Sequence, residues 1–153
     1  MNISAAEAQK VTAYTGTILN IANGSVTIDD GVITYGASEY AYTGIPEVTV
    51  TGVTTENQIK IESGVSAKVT LSDVSIDLSQ AEIGAAFEIV DNSAGNVTVT
   101  LEGNNLLKGS SGSAGLQKNG TEEGVGTLTI QGSGFLEAVG GYASAGIGGT
   151  YGN

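Results

Sequence analysis

One spacing governs this chain. Lys68-Val69-Thr70-Leu71-Ser72-Asp73 returns as Thr98-Val99-Thr100-Leu101-Glu102-Gly103, and again as Thr127-Leu128-Thr129-Ile130-Gln131-Gly132, at offsets of 30 and then 29 residues. A second series, Ala86-Phe87, Gly115-Leu116 and Gly146-Ile147, keeps step at 29 and 31. Repetition with a period of about 20–50 residues marks architectures built by stacking one small unit on the next. Within each unit the hydrophobic period is two, which is the period of a strand. Such runs extend from Thr17–Ile21 to Phe135–Ala138, separated by turns rich in glycine and asparagine. No amphipathic helical stretch lies between them, which argues against a βαβ arrangement.

Short strands, tight corners and a fixed offset describe an all-β chain folded as a single-stranded parallel β-solenoid, or β-helix. One coil cannot bury its inner face alone, whereas stacked coils share an aliphatic core and pair their backbone groups. The repeat predicts inward ladders Val69/Val99/Leu128, Leu71/Leu101/Ile130 and Ile76/Leu106/Phe135, with Thr70/Thr100/Thr129 stacked outward. Alternation then turns Leu107 and Leu136 outward, unless a bulge intervenes. Five or six coils are expected. Val26, Val48 and Val69 lie only 22 and 21 residues apart, so the first coils are expected to be smaller, and an immunoglobulin-like sandwich is the alternative for residues 17–62. The expected organisation is an N-terminal arm or capping helix over 1–15, where Ser4 and Glu7 fit a capping box, followed by the solenoid over 16–153, with truncation as one reading of its C-terminal end.

Composition narrows the chemistry. The chain of 153 residues has no His, Cys, Trp or Arg, and a net charge of −11. Imidazole bases, thiolate nucleophiles and the usual zinc, haem and iron–sulfur ligands are therefore missing. The acidic balance repels phosphate backbones, so no nucleic-acid partner is expected. No apolar run is long enough to insert in a membrane. The 24 glycines suit the corners of coils.

Several stretches resemble repeats of bacterial, Firmicutes-type cell-surface proteins described as carbohydrate-binding domain-containing. These are Val97–Leu106, Ala114–Gln117, Thr127–Leu136 and the corner Ala145-Gly146-Ile147-Gly148-Gly149. The resemblance covers roughly the last two thirds of the chain and implies a right-handed parallel β-helix. It also implies an extracellular or cell-surface setting, and a polysaccharide or glycan partner, in some members an acidic one bound together with calcium. A non-catalytic carbohydrate-binding or adhesin module is the expectation it supports. Enzymes of the pectate-lyase type share this fold but use an arginine base, which this chain lacks.

Three groups of side chains are candidates for contact. Tyr35, Tyr40 and Tyr42, with Glu39, cluster in sequence, and aromatic faces with a polar edge suit sugar rings. Asp29, Asp30, Asp73 and Asp77 are candidate oxygen ligands for calcium, since hard cations take several carboxylates; no other cofactor is expected. Asp73 and Asp77 share a face only if the strand between them is regular. The open solenoid ends are the third candidate. They suggest a structural alternative: a self-assembling subunit, or a virion or surface stalk element, that forms a head-to-tail homo-oligomer and binds no small ligand.

Overall fold

The structure, a computed structural model, describes residues 11–90, 95–119 and 126–149. It is an all-β solenoid of about four turns. The strands in chain order are β1 (Thr12–Ala13), β2 (Leu19–Asn20), β3 (Val26–Asp29), β4 (Val32–Tyr35), β5 (Ser38–Ala41), β6 (Glu47–Thr54), β7 (Ile59–Ile61) and β8 (Ala67–Asp77). They continue as β9 (Phe87–Ile89), β10 (Val97–Glu102), β11 (Asn104–Lys108), β12 (Leu116–Lys118), β13 (Leu128–Gly132), β14 (Phe135–Val139) and β15 (Ile147–Gly148). One short 3-10 turn, Ile21–Asn23, follows β2.

Two sheets share the core. In the first, the order is β1-β5-β4-β3-β7-β9-β12-β15. In the second, β2 pairs with β6 and β6 with β8; the long β8 then pairs with β10 along its first half and β11 along its second, and these pair with β13 and β14. From β3 onward through β7, β9, β12 and β15, and throughout the second sheet, every pairing is parallel. The N-terminal half of the first sheet breaks this rule. There β3, β4 and β5 form an antiparallel meander, turning at Asp30-Gly31 with Gly31 at φ +74°, and β1 joins its outer edge. Residues 32–41 therefore form a cap where coils were expected, which is why the turns number about four rather than five or six. The expected arm or helix over 1–15 falls largely outside the described residues; its end contains β1.

Alternation builds the core. Val26, Ile28, Ile59, Ile61, Phe87, Ile89 and Leu116 project from the first sheet, and Val48, Val50, Val69, Leu71, Val97 and Val99 from the second, all buried. Each such side chain contributes roughly 1.5–3 kcal/mol of burial, and parallel stacking lets neighbouring rungs share it. The column Phe87–Leu116–Ile147 runs as the repeat predicts.

Elsewhere the register corrects the repeat. Leu107, not Leu106, pairs with Ile76 and is fully buried; Ala138 pairs with Leu107 on the next rung. Leu136 likewise faces inward, packed against the core, and Phe135 is exposed. The cause is an interruption at the corner between the two halves of β8: Asp73 has φ +52° and Gly103, on the next rung, +66°. A left-handed residue inserted in a strand reverses the alternation after it. Between β10 and β13 the register is also displaced by two residues, so Val99 pairs with Ile130 and Val97 with Leu128. Gly132 and Gly134 permit this, since a Cβ at either would lie 2.4–2.7 Å from the backbone of Leu101 or Glu102. A shift of two preserves the side each residue faces.

Candidate functional site

The outer face of the second sheet carries a groove. On β6, β8, β10 and β13 the residues between core positions project outward, and parallel pairing lines them up as Glu47, Lys68, Thr98 and Thr129 in one row. Thr49, Thr70, Thr100 and Gln131 form the next row. Rungs in such a sheet are about 4.8 Å apart. The cleft has a volume of about 520 Å³ and is lined by Glu47, Thr49, Lys68, Thr70, Thr98, Thr100 and Gln131, with Val48 at its floor.

The groove's electrostatics are balanced. Lys68 Nζ lies 3.5 Å from Glu47 Oε1, an exposed pair that neutralises its own charge. Gln131 Nε2 lies within hydrogen-bonding distance of Thr100 Oγ1, at 3.3 Å. Each threonine hydroxyl both donates and accepts. A ladder of hydroxyls across successive rungs, beside one ammonium and one carboxylate, suits an extended, hydroxyl-rich ligand. The sequence reading had the components of this ladder, since Thr70 and Thr100 are neighbours, but Thr129 pairs with Thr98 and stands in the row of Lys68.

The tyrosines occupy the opposite end of the solenoid from the last rung. Tyr35, Tyr40 and Tyr42 are partly buried against the core, together with Tyr14. Tyr14 and Tyr40 meet edge to face, with centroids 6.2 Å apart and planes at 71°. The Tyr35 hydroxyl donates to the Asn20 carbonyl at 2.8 Å, and that of Tyr42 to the Asp29 carbonyl at 2.5 Å. Burial raises the Tyr14 and Tyr42 phenols above their ordinary value; for Tyr42 the Asp30 and Asp29 carboxylates add to the rise, and hydrogen bonding with the Gly31 backbone opposes it. Glu39 pairs with Thr34, while Tyr40 pairs with the buried Ile33, so Glu39 and Tyr40 face opposite sides of the meander. Tyr42 and Asp30 do share a second, smaller cleft of about 260 Å³ with Gly44, Ile45, Ser63 and Ser66.

The four aspartates are not drawn together. Among the described residues no three acidic side chains are grouped so as to hold a metal ion. Asp29 Oδ1 accepts the Asp30 amide at 2.7 Å, in the hairpin turn. Asp73 occupies the left-handed corner and accepts the Asn104 amide at 2.9 Å. Asp77 lies beyond that interruption, accepts the Ser79 amide at 3.0 Å and stands 3.7 Å from Lys108 Nζ. Hydrogen bonding from Ser79, then the Lys108 ammonium, lowers the Asp77 carboxyl below its ordinary value.

Corner side chains whose bonding the spacing did not reveal tie one rung to the next. Ser66 Oγ accepts the Asn96 amide at 2.9 Å, and Asn96 Oδ1 in turn accepts the Thr127 amide at 2.9 Å. Asn105 is buried: its Oδ1 accepts the Val74 amide at 2.8 Å, and its Nδ2 donates to the carbonyls of Glu102 and Phe135 at 3.0 and 3.2 Å. The only signal in the sequence was the recurrence of small polar residues at the corners. No helix among the described residues is long and apolar enough to cross a membrane. No family model, curated protein or solved structure matches the chain.

Proposed function

We propose that this protein is a non-catalytic polysaccharide-binding module of a bacterial surface protein, with an adhesin-like role outside the cell. The observation that carries the reading is the groove across β6, β8, β10 and β13, where Thr49, Thr70, Thr98 and Thr100 present hydroxyls on successive rungs. Saccharide hydroxyls exchange hydrogen bonds with such a surface without requiring a formal charge. The rigid sheet fixes the donors in advance, which limits the entropy lost on binding. The resemblance of Val97–Leu106 and Thr127–Leu136 to surface carbohydrate-binding repeats supports the same reading, as does the lack of His, Cys and Arg.

A glycan array, run with and without calcium, tests it. Binding to a polysaccharide that is lost in a Thr70→Ala, Thr100→Ala double variant, with the melting curve unchanged, is the expected result. An empty array in both conditions overturns it. Binding that survives the double variant but fails in Tyr42→Phe or Glu39→Gln moves the contact to the meander.

A further inference from the structure

The groove runs across the strands rather than along them. Each of its two outward rows takes one residue from β6, β8, β10 and β13 in turn. With strands about 4.8 Å apart, a row is about 14 Å long, whereas the two rows are only about 7 Å from each other. A ligand lying in the groove therefore follows the stacking direction and meets a similar pair of positions on each rung. Of the four lining threonines, Thr100 is engaged by Gln131. The hydroxyls of Thr49, Thr70 and Thr98 have no protein partner among the described residues.

Charge selects against an acidic polymer. The one ammonium lining the cleft, Lys68, already faces Glu47 at 3.5 Å, and the chain carries a net charge of −11. A polyanion would meet a fixed carboxylate within the field of a negative molecule. A bridging calcium ion takes about six to eight oxygen ligands. Glu47 is the one carboxylate lining the cleft, so the protein offers such a bridge little.

Spacing selects among neutral polymers. Pyranoses joined through equatorial bonds at both C1 and C4 form a flat ribbon that advances by close to one strand spacing per sugar. An axial linkage curls the chain, which then loses step with the rungs within a few sugars. The flat ribbon carries hydroxyls along both edges and C–H groups on its faces. That matches two parallel rows of hydroxyl-bearing side chains over a floor that includes Val48. Taking the groove as the saccharide site proposed above, on which this step rests, we infer that its ligand is a neutral, diequatorially 1,4-linked polysaccharide. The polymer lies across the rungs, one sugar to each.

Titration of the full chain with tetrasaccharides, followed by NMR shifts, separates charge from linkage. Cellotetraose, mannotetraose and xylotetraose are neutral and diequatorial. Maltotetraose is neutral with an axial bond, and tetramannuronate keeps the mannan linkage but adds a carboxylate to every sugar. At least one of the first three should bind, with shifts on β6, β8, β10 and β13, and the last two should bind at least about tenfold more weakly, a difference of about 1.4 kcal/mol. Thr49 and Gln131 stand on the two strands that bound the groove, farther apart than a disaccharide reaches. Thr49→Val and Gln131→Ala, with unchanged melting curves, should each weaken the tetrasaccharide about 2- to 10-fold and spare the matching disaccharide. Equal losses for both lengths would lay the ligand along a strand and overturn the proposed orientation. Preference for tetramannuronate or maltotetraose overturns the ligand class while leaving a saccharide site. If none of the three neutral diequatorial tetramers binds, the ligand class is overturned as well; a glycan array positive for another saccharide then keeps the broader reading, and an empty array removes both.

Discussion

The carboxylate of Asp73 fills the space that a side chain at Gly103 would need. A Cβ at Gly103 would lie 2.1 Å from Asp73 Oδ1, the same oxygen that accepts the Asn104 amide at 2.9 Å. Asn20 and Gly52 repeat the device on other neighbouring rungs: Asn20 Oδ1 accepts the Ala22 amide at 3.0 Å and would lie 2.0 Å from a Cβ at Gly52. A polar side chain over a left-handed glycine is thus how this solenoid turns its corner. Gly103→Ala combines positive φ with a clash and should cost about 3 kcal/mol. In an Asp73→Gly background the clash disappears, and the same change should cost about 1 kcal/mol. A double-mutant cycle by urea denaturation reads the coupling, expected near 2 kcal/mol. Additive costs would show that the two positions are independent.

Asn105 joins three rungs through one side chain. Its amide reaches Val74 on β8, Glu102 on its own coil and Phe135 on the last. Asn105→Ala leaves a buried amide and two carbonyls without this partner and should lower stability by about 2–4 kcal/mol. Asn105→Asp keeps the acceptor for Val74 but sets a carboxylate against two carbonyl oxygens. It should be worse than alanine at neutral pH and improve as the carboxyl becomes protonated. Denaturation of both variants at two pH values checks the order.

The corner chemistry also explains what the sequence could and could not show. Columns such as Phe87–Leu116–Ile147 were legible because alternation and offset agree there, and each constrains the other. Leu106 and Leu107 were not, because adjacent leucines satisfy either face and only the backbone at Asp73 and Gly103 decides between them. The meander was hidden for a related reason. Val32–Tyr35 alternates like any strand, and the Asp30-Gly31 turn that reverses it resembles the glycine corners of a coil. Of the site, the outward threonines were readable as strand residues, but their assembly into a groove depends on which rungs adjoin. That is set by register, which a shift of two between β10 and β13 alters without changing any residue's side.

The tyrosine-covered end should open at high pH. Tyr14 and Tyr42 bind their phenolic protons more tightly folded than unfolded, chiefly through burial. A folded pKa raised above the unfolded one gives stability that is complete below about pH 10, the ordinary tyrosine value. It is lost as pH rises through the folded pKa. Tyrosinate absorbance is clean in a chain without tryptophan. Spectrophotometric titration should show a phase above the ordinary tyrosine range, accompanied by loss of structure. Tyr42→Phe should remove part of that phase, weaken stability at neutral pH through the lost bond to Asp29, and flatten the alkaline decline.

Acid acts through Asp77. Its carboxyl is lowered first by hydrogen bonding from Ser79 and then by Lys108, across 3.7 Å. A depressed folded pKa gives stability that is present above the unfolded value of about 3.9 and lost as pH falls through the folded one. Asp77 is partly exposed, so solvent screening keeps the effect modest, and the Ser79 bonds should outweigh the ion pair. Asp77→Asn should therefore destabilise the protein at neutral pH and lie closer to wild type in strong acid, where both side chains are neutral. Lys108→Met should have the smaller effect and be reproduced largely by high salt in the wild type. Thermal melts across pH at low and high salt separate the two contributions. An Asp77→Asn deficit that stays constant down to strong acid would instead assign the loss to packing, since a carboxylate that matters by its charge cannot matter once it is protonated.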